Sequence, residues 1–328
     1  MRVADIRSDE FMKRFLVAHK KFVREMATRK DDFCHIPCPA CESGMYVFVF
    51  EKDASRFVKC TKCGTIFINP QPPLDVIQDF YRNSEESKLW DKHFVDSERQ
   101  RREQIFLPRA MEILKLWWRI GFNRKTLVDI GASNGIFCEE IRDICPFDEI
   151  IAVEPSAKRA GICKQKGIEV VEGFVEDADL SEVDVITAFE VIEHVRFPAD
   201  FLRQCHKALN ERGVLVLTTP NANGFELITQ GAVSNNFCSP GHLTVFNIDS
   251  IHMLLERCGF SVYDISTPGK LDAEIVRSKV LNGELNMRDS PFLRYILTEK
   301  WEEVGEEFQD FLVKNSLSSH MRVVAIKR

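Results

Sequence analysis

No stretch of this 328-residue sequence is apolar over the length needed to span a bilayer, and its opening, MRVADIRSDE, lacks the hydrophobic region of a secretion signal. A cytoplasmic protein without a membrane partner is the expectation. Positive charge is also short: 44 Lys and Arg face 50 Asp and Glu, so no global basic field draws nucleic acid. The charge is uneven, with 13 basic against 9 acidic side chains in residues 1–72 and 31 against 41 beyond. A mildly basic front end is compatible with an anionic partner without demanding one. The cysteines number eleven, and an odd count without a secretion signal argues against a disulfide framework. No internal repeat or low-complexity tract is present, so one large or two smaller globular domains are expected.

Four cysteines are regularly spaced. Cys38-Pro-Ala-Cys41 and Cys60-Thr-Lys-Cys63 make C-x2-C-x18-C-x2-C. Each pair places two thiolates on a tight knuckle, and two knuckles complete a tetrahedron with no open position. That is the pattern of a structural zinc rather than a catalytic one. Cys34, Cys138, Cys145, Cys163, Cys205, Cys238 and Cys258 are scattered, most of them in apolar runs, and read as small core side chains. Ahead of this ribbon, residues 9–30 read as an amphipathic helix whose stripe includes Phe11, Phe15, His19, Phe22 and Met26. The stripe is read as packing. Behind it, helices are expected over 74–83 and about 96–120, the second kinked or split by Pro108 and capped by Gly121. Trp90, Trp117 and Trp118 in this stretch are read as core.

From Lys125 the texture changes to strand–helix alternation. TLVDI, EIIAVE, IEVVEG, VDVITAFE and GVLVLTTP are apolar, β-branched runs set among helical stretches, which implies parallel strands with crossover helices. SVYDIST and MRVVAIK add two strands. The expected fold class is α/β: a Rossmann-like, seven-stranded, doubly wound sheet with one antiparallel strand. The expected division is an N-terminal helix in 1–34, a zinc ribbon in 35–72, a helical linker or cap in 73–124 and the core in 125–270. A helical insertion in 271–317 and a final core strand in 318–328 complete it.

The first core strand runs into Gly131-Ala-Ser-Asn-Gly135 and then a helix, a turn that lets a ligand approach backbone N–H groups. Asp129 ends the strand, and Glu154 ends the next, placed to accept ribose hydroxyl protons. The dinucleotide fingerprint would need a third glycine where Ile136 stands. The loop instead resembles motif I of class I methyltransferases. VEPS, VEGFVEDADL and VDVITAFEVIEHVRFPADFLRQCHKALNERGVLVLTTPN continue the likeness, in register with the branch of ubiquinone-type O-methyltransferases. The resemblance implies S-adenosylmethionine as cofactor. It places Asp129, Gly131, Ala132 and Gly135 by the methionine half, Glu154 on the ribose, Phe174 and Val175 beside adenine, and Glu176 or Asp177 near its amino group. Ser133 replaces a usual glycine, which requires a negative φ there.

On the acceptor side stand Glu190, Glu193 and His194 after the fourth strand, with His242 in CSPGHLTVFN after the fifth. One reading gives these four a second divalent cation, as in small-RNA 2′-O-methyltransferases, which they resemble in E-x-x-E-H with a later His. The other, which the sequence favours, makes His242 or His194 a general base positioned by the glutamates. The expected reaction is methyl transfer to oxygen on a small, carbohydrate-like acceptor. The alternatives are an RNA methyltransferase that uses the ribbon to bind substrate, a sugar C-methyltransferase, and a non-enzymatic subunit. The acidic catalytic half speaks against RNA. Asn221 and Asn223 read as turn residues.

Overall fold

The computed structural model describes residues 9–175 and 178–328. Helix α1 (Asp9–Ala27) precedes strands β1 (Tyr46–Lys52), β2 (Ser55–Cys60) and β3 (Ile66–Ile68). Helices α2 (Leu74–Asn83), α3 (Glu85–Asp96) and α4 (Glu98–Arg101) follow, and a π-helical turn, Arg102–Phe106, carries α4 into α5 (Leu107–Ile120). Pro108 follows this π-helical turn in a helix that runs on from α4 without a break, so the proline's missing N–H is met by a local irregularity rather than a split. Gly121 closes α5 in the left-handed conformation.

The second half begins with β4 (Thr126–Ile130), α6 (Ile136–Ile144), β5 (Glu149–Val153), α7 (Ala157–Gln165) and β6 (Glu169–Val171). It continues through β7 (Val183–Phe189), α8 (Pro198–Ala208), β8 (Leu209–Pro220), α9 (Phe225–Gln230), β9 (Thr244–Val245), α10 (Ile248–Arg257) and β10 (Phe260–Ser266). Helices α11 (Asp272–Leu281), α12 (Pro291–Thr298) and α13 (Trp301–Lys314) lead to β11 (His320–Lys327). Seven strands pair in the order β10-β11-β8-β7-β4-β5-β6, and β11 alone runs antiparallel to its neighbours.

Both faces of this sheet are covered, which is why β4 and β7 read as continuous apolar runs. On one face Val128, Ile186 and Leu217 meet Phe201, Leu202 and Leu254 from α8 and α10. On the other Leu127, Val185 and Val216 meet Ile113 of α5 and Phe137 and Ile141 of α6. The insertion α11–α13 has an apolar cluster of its own around Val276, Leu297 and Leu312, to which Phe225 of α9 adds. Among the described residues no helix is long and apolar enough to cross a membrane.

A second sheet has the order β1-β2-β3-β9. Its first three strands are the ribbon, and its fourth comes from the core, between β8 and α10. Cys38, Ala40, Val58, Cys60 and Phe67 belong to the same apolar cluster as Val128 and Ile186, so ribbon and central sheet share a core.

The cap is built largely on α1 and α3. Trp90 packs edge-on against Phe11 and Phe15, with ring centroids 4.9 and 5.6 Å apart. Trp118, expected in the core, is 75% exposed on α5. Of the scattered cysteines, five are buried, Cys238 is half-buried and Cys34 is exposed.

Candidate active site

The loop between β4 and α6 alternates through the left-handed region, with φ of 74° at Gly131, 52° at Ser133 and 71° at Gly135. A Cβ on Gly131 would stand 2.7 Å from Val191 Cγ2, and one on Gly135 2.5 Å from Ile168 Cδ1, so both positions require glycine. Ser133 overturns the expectation of a negative φ. Its N–H donates to Glu154 Oε2 at 2.9 Å, a charge-assisted bond that holds the residue in a conformation L side chains disfavour.

Glu154, at the end of β5, is 1% exposed, and its Oε1 accepts from the Ser156 N–H at 2.9 Å. Burial raises its pKa, opposed by the Arg159 guanidinium. Asp129 is buried beneath the loop, and its carboxyl is pushed up to about 7 by burial against the bond it accepts from Thr187 Oγ1. In the same loop, both side-chain amide atoms of Asn134 are buried without a hydrogen-bond partner. Orphaned amide atoms in such a loop call for a polar ligand. Ala132 and Val175 are buried, and Phe174 lies 5.6 Å from the Arg82 guanidinium of α2. Glu176 and Asp177 lie outside the described residues. The cap closes on this side through Arg159, whose Nε is 2.9 Å from Asp91 Oδ1 of α3. Neither Arg159 nor Asp91 stands in a motif, so sequence reasoning passed over them.

On the acceptor side the expected four residues divide. Glu193, His194 and His242 come together, with potential ligand atoms all within 4.8 Å of one another. Glu190 is not in that group. It ends β7 with φ 57°, accepts from Thr218 Oγ1 at 2.5 Å, and lies 3.5 Å from Arg109 Nη2 and 3.4 Å from His320 Nδ1. Burial pushes the Glu190 carboxyl up, but His320, Arg109 and Thr218 outweigh it and hold it below the usual range. Arg109 itself stacks 4.5 Å from the Phe189 ring centroid. These partners come from α5, β8 and β11, which no local spacing connects.

Glu193 is buried, and its Oε1 has no hydrogen-bond partner. Burial and then the neighbouring Glu190 push its carboxyl well up. His194 Nδ1 lies 2.6 Å from the Gly241 carbonyl, and His242 Nδ1 lies 2.8 Å from the Asn236 carbonyl. A carbonyl only accepts, so Nδ1 carries the proton in both rings and Nε2 holds the lone pair when neutral. Burial lowers the His194 pKa, opposed by the bond to the Gly241 carbonyl and by Glu190. Tyr81 of α2 adds a third contact, its hydroxyl donating to the Gly241 carbonyl at 2.9 Å. Asn221 accepts from the Asn223 N–H and donates to the Ser318 carbonyl, the turn role expected of it.

In the ribbon, Cys38 and Cys63 sulfurs lie 3.5 Å apart, as do those of Cys41 and Cys60. Four thiols this close cannot all ionise without a cation. The Cys38 thiol is pushed up by its bond to Cys63 and by burial, while Cys63 goes down to about 4. Four converging sulfurs fit a tetrahedral zinc.

The chain matches a methyltransferase domain family over residues 97–265, just over half its length, and belongs to that family. It is 29% identical over 154 residues, 40% of this chain and 60% of the relative, to the ubiquinone biosynthesis O-methyltransferase of Bradyrhizobium diazoefficiens. It is 32% identical over 108 residues, 30% of this chain and 39% of the relative, to the mitochondrial enzyme of that name from Schizosaccharomyces pombe. The chain therefore spans no more than three-fifths of these curated relatives. In fold it is similar to the plantazolicin methyltransferase solved with SAH, at 12% identity and a TM-score of 0.50, over 77% of this chain and 94% of that one.

Proposed function

We propose that the protein transfers the methyl group of S-adenosylmethionine to a hydroxyl of a small, carbohydrate-like acceptor. The observation that carries the reading is the loop at β4. Its two left-handed glycines, the orphaned Asn134 amide and the buried Asp129 and Glu154 at the ends of the adjacent strands support a polar ligand at this turn. S-adenosylmethionine, when bound, supplies an electrophilic methyl on sulfur. Asp129 and Asn134 hold the amino-acid half, Glu154 holds the ribose, and Phe174 with Val175 walls the adenine. His242 Nε2 takes the acceptor hydroxyl proton as the oxygen–carbon bond forms and the sulfur–carbon bond breaks. Its Nδ1–H, held by the Asn236 carbonyl, fixes the ring for that task. Alignment of the two partners supplies much of the rate.

Glu154→Ala should weaken S-adenosylmethionine binding by about 1–3 kcal/mol, because the ribose loses charge-assisted bonds. Calorimetry resolves a change of that size, and an unaltered affinity would remove Glu154 from the site. Release of SAH with hydroxyl-bearing acceptors tests the reaction itself. Turnover with RNA and with no small acceptor would shift the reading to an RNA methyltransferase.

A second reading is favoured by the unpartnered Glu193 Oε1 beside two imidazoles whose Nδ1 protons are fixed by carbonyls. Such outer bonds are common at metal-ligating histidines. Glu193, His194 and His242 would then hold a divalent cation, which would acidify the acceptor hydroxyl. Under this reading Glu193→Gln lowers turnover steeply and excess Mn²⁺ restores part of it. Full turnover after chelation that spares the ribbon metal returns the role to His242 as a base.

A further inference from the structure

The loop that bears His242 leaves the core after α9, at Gly231, and rejoins it at α10. The core and cap hold it at Gly241, through Tyr81 and His194, and at Leu243, whose N–H donates to the Glu193 carbonyl, and most of its other partners come from the ribbon. Lys52 Nζ donates to the Ser234 carbonyl at 2.7 Å. Phe237 is buried against Phe50 and Phe57, at 5.1 and 5.6 Å between ring centroids. The Ser55 and Ser239 hydroxyls meet at 2.7 Å. Ile68 N–H donates to the Leu243 carbonyl at 3.0 Å, and Ile66 and Phe67 pair with Val245 and Thr244. The last tie reaches the metal knuckle, where Asn247 Nδ2 donates to the Cys63 carbonyl at 2.9 Å. Gly64, at φ 76°, lets that amide approach, since a Cβ there would stand 2.7 Å from Asn247 Nδ2.

We propose that the zinc ribbon is a positioning element of the acceptor loop and, with the core ties at Gly241 and Leu243, sets where His242 stands. The ribbon thus works through the loop, touching neither methyl donor nor acceptor. Zinc fixes the knuckle formed by Cys60 and Cys63, the knuckle fixes β3, and β3 fixes β9 two residues beyond His242. The ring is further tied to the same loop through the Asn236 carbonyl, one residue before the buried Phe237. Loss of zinc therefore displaces the acceptor side and leaves the cofactor loop, on β4 and α6, in place. The proposal rests on the reading of His242 as the group that meets the acceptor.

Asn247→Asp is the discriminating variant. The carboxylate still accepts from the Ser250 N–H and caps α10, but it cannot donate to the Cys63 carbonyl. In the full, zinc-loaded chain, hydrogen exchange at residues 243–246 should quicken by about tenfold or more. The His242 ring resonances should shift while those of His206 and His252 stay, and S-adenosylmethionine affinity should hold within about threefold, well under the loss expected of a cofactor residue. Where turnover is measured, kcat falls and KM for S-adenosylmethionine does not. Removing zinc from the wild-type chain with a strong zinc chelator, in excess Mg²⁺, should reproduce the pattern and also expose β1–β3. Unchanged exchange and ring signals in both experiments would overturn the proposal. So would loss of protection throughout β4 and β7, since the ribbon would then hold the whole fold, or purified protein without zinc. Undiminished turnover in His242→Ala would instead refute the reading of that histidine and leave the exchange result standing.

Discussion

Gly131→Val should abolish measurable S-adenosylmethionine binding, an affinity loss of at least about a hundredfold, or roughly 3 kcal/mol. Two effects add. At φ 74° a β-branched residue is forced into a region it avoids, and its Cβ would lie 2.7 Å from Val191 Cγ2. Either the loop or the start of the Val191 segment must move, and these carry the methionine side and the acceptor side respectively. Gly161→Ala is the control. Gly161 lies in α7 with nothing within 4 Å of an added Cβ, so the substitution should leave binding intact and favour the helix slightly. Equal affinity in the two variants, measured by calorimetry, would mean that the cofactor does not occupy this turn.

His19→Ala should lower the unfolding free energy by about 3–5 kcal/mol, the scale for removing one partner of a buried charge cluster. His19 is 6% exposed on α1, with Nδ1 2.8 Å from Glu86 of α3 and Nε2 3.1 Å from Asp53 in the β1–β2 turn. Burial alone would lower its pKa, but hydrogen bonds to Asp53 and Glu86 outweigh it and raise it from 6.5 to about 9. The folded value lies above the unfolded one, so the stabilisation is complete below pH 6.5 and is lost as pH rises through 9. That span corresponds to about 3 kcal/mol. The wild type should therefore converge on the variant across this window. Denaturant melts at pH 6 and pH 9.5 that differ from the variant by the same margin would contradict the triad's role.

Much of the central sheet could be read from the sequence because parallel strands buried on both faces must be apolar throughout, as TLVDI and VDVITAF are. The Cys38–Cys63 spacing was legible for a different reason: tetrahedral thiolate geometry restricts each pair to a short knuckle. The glycine loop was legible except at Ser133, whose left-handed backbone depends on Glu154 two elements away. What stayed hidden is long-range. β9 is two residues long, too short for any period, and its pairing with β3 joins segments almost 180 residues apart. Glu190 parted from Glu193 and His194 because a positive φ turned it toward Arg109 and His320, which lie far off in the sequence. His19 lay in a helical stripe that periodicity assigns to packing, and periodicity does not tell a packed ring from a hydrogen-bonded one.

The placement of β11 sets the order in which the molecule can be finished. It lies between β8 and β10, in register with Val216 and Leu217 on one side and Val262 and Ile265 on the other. During synthesis from the N-terminal end, those strands and the α11–α13 excursion emerge while the slot between them is vacant. The half-sheet β6-β5-β4-β7-β8 can assemble early, with β8 as a temporary border open to other chains. Closure needs residues 320–327, the last strand of the sheet in chain order and one of large sequence separation from β8. Until β11 enters, β8 keeps an unpaired edge of the kind that strands of other chains can join, so a variant that weakens the β8–β11 pairing should favour aggregation over partial unfolding.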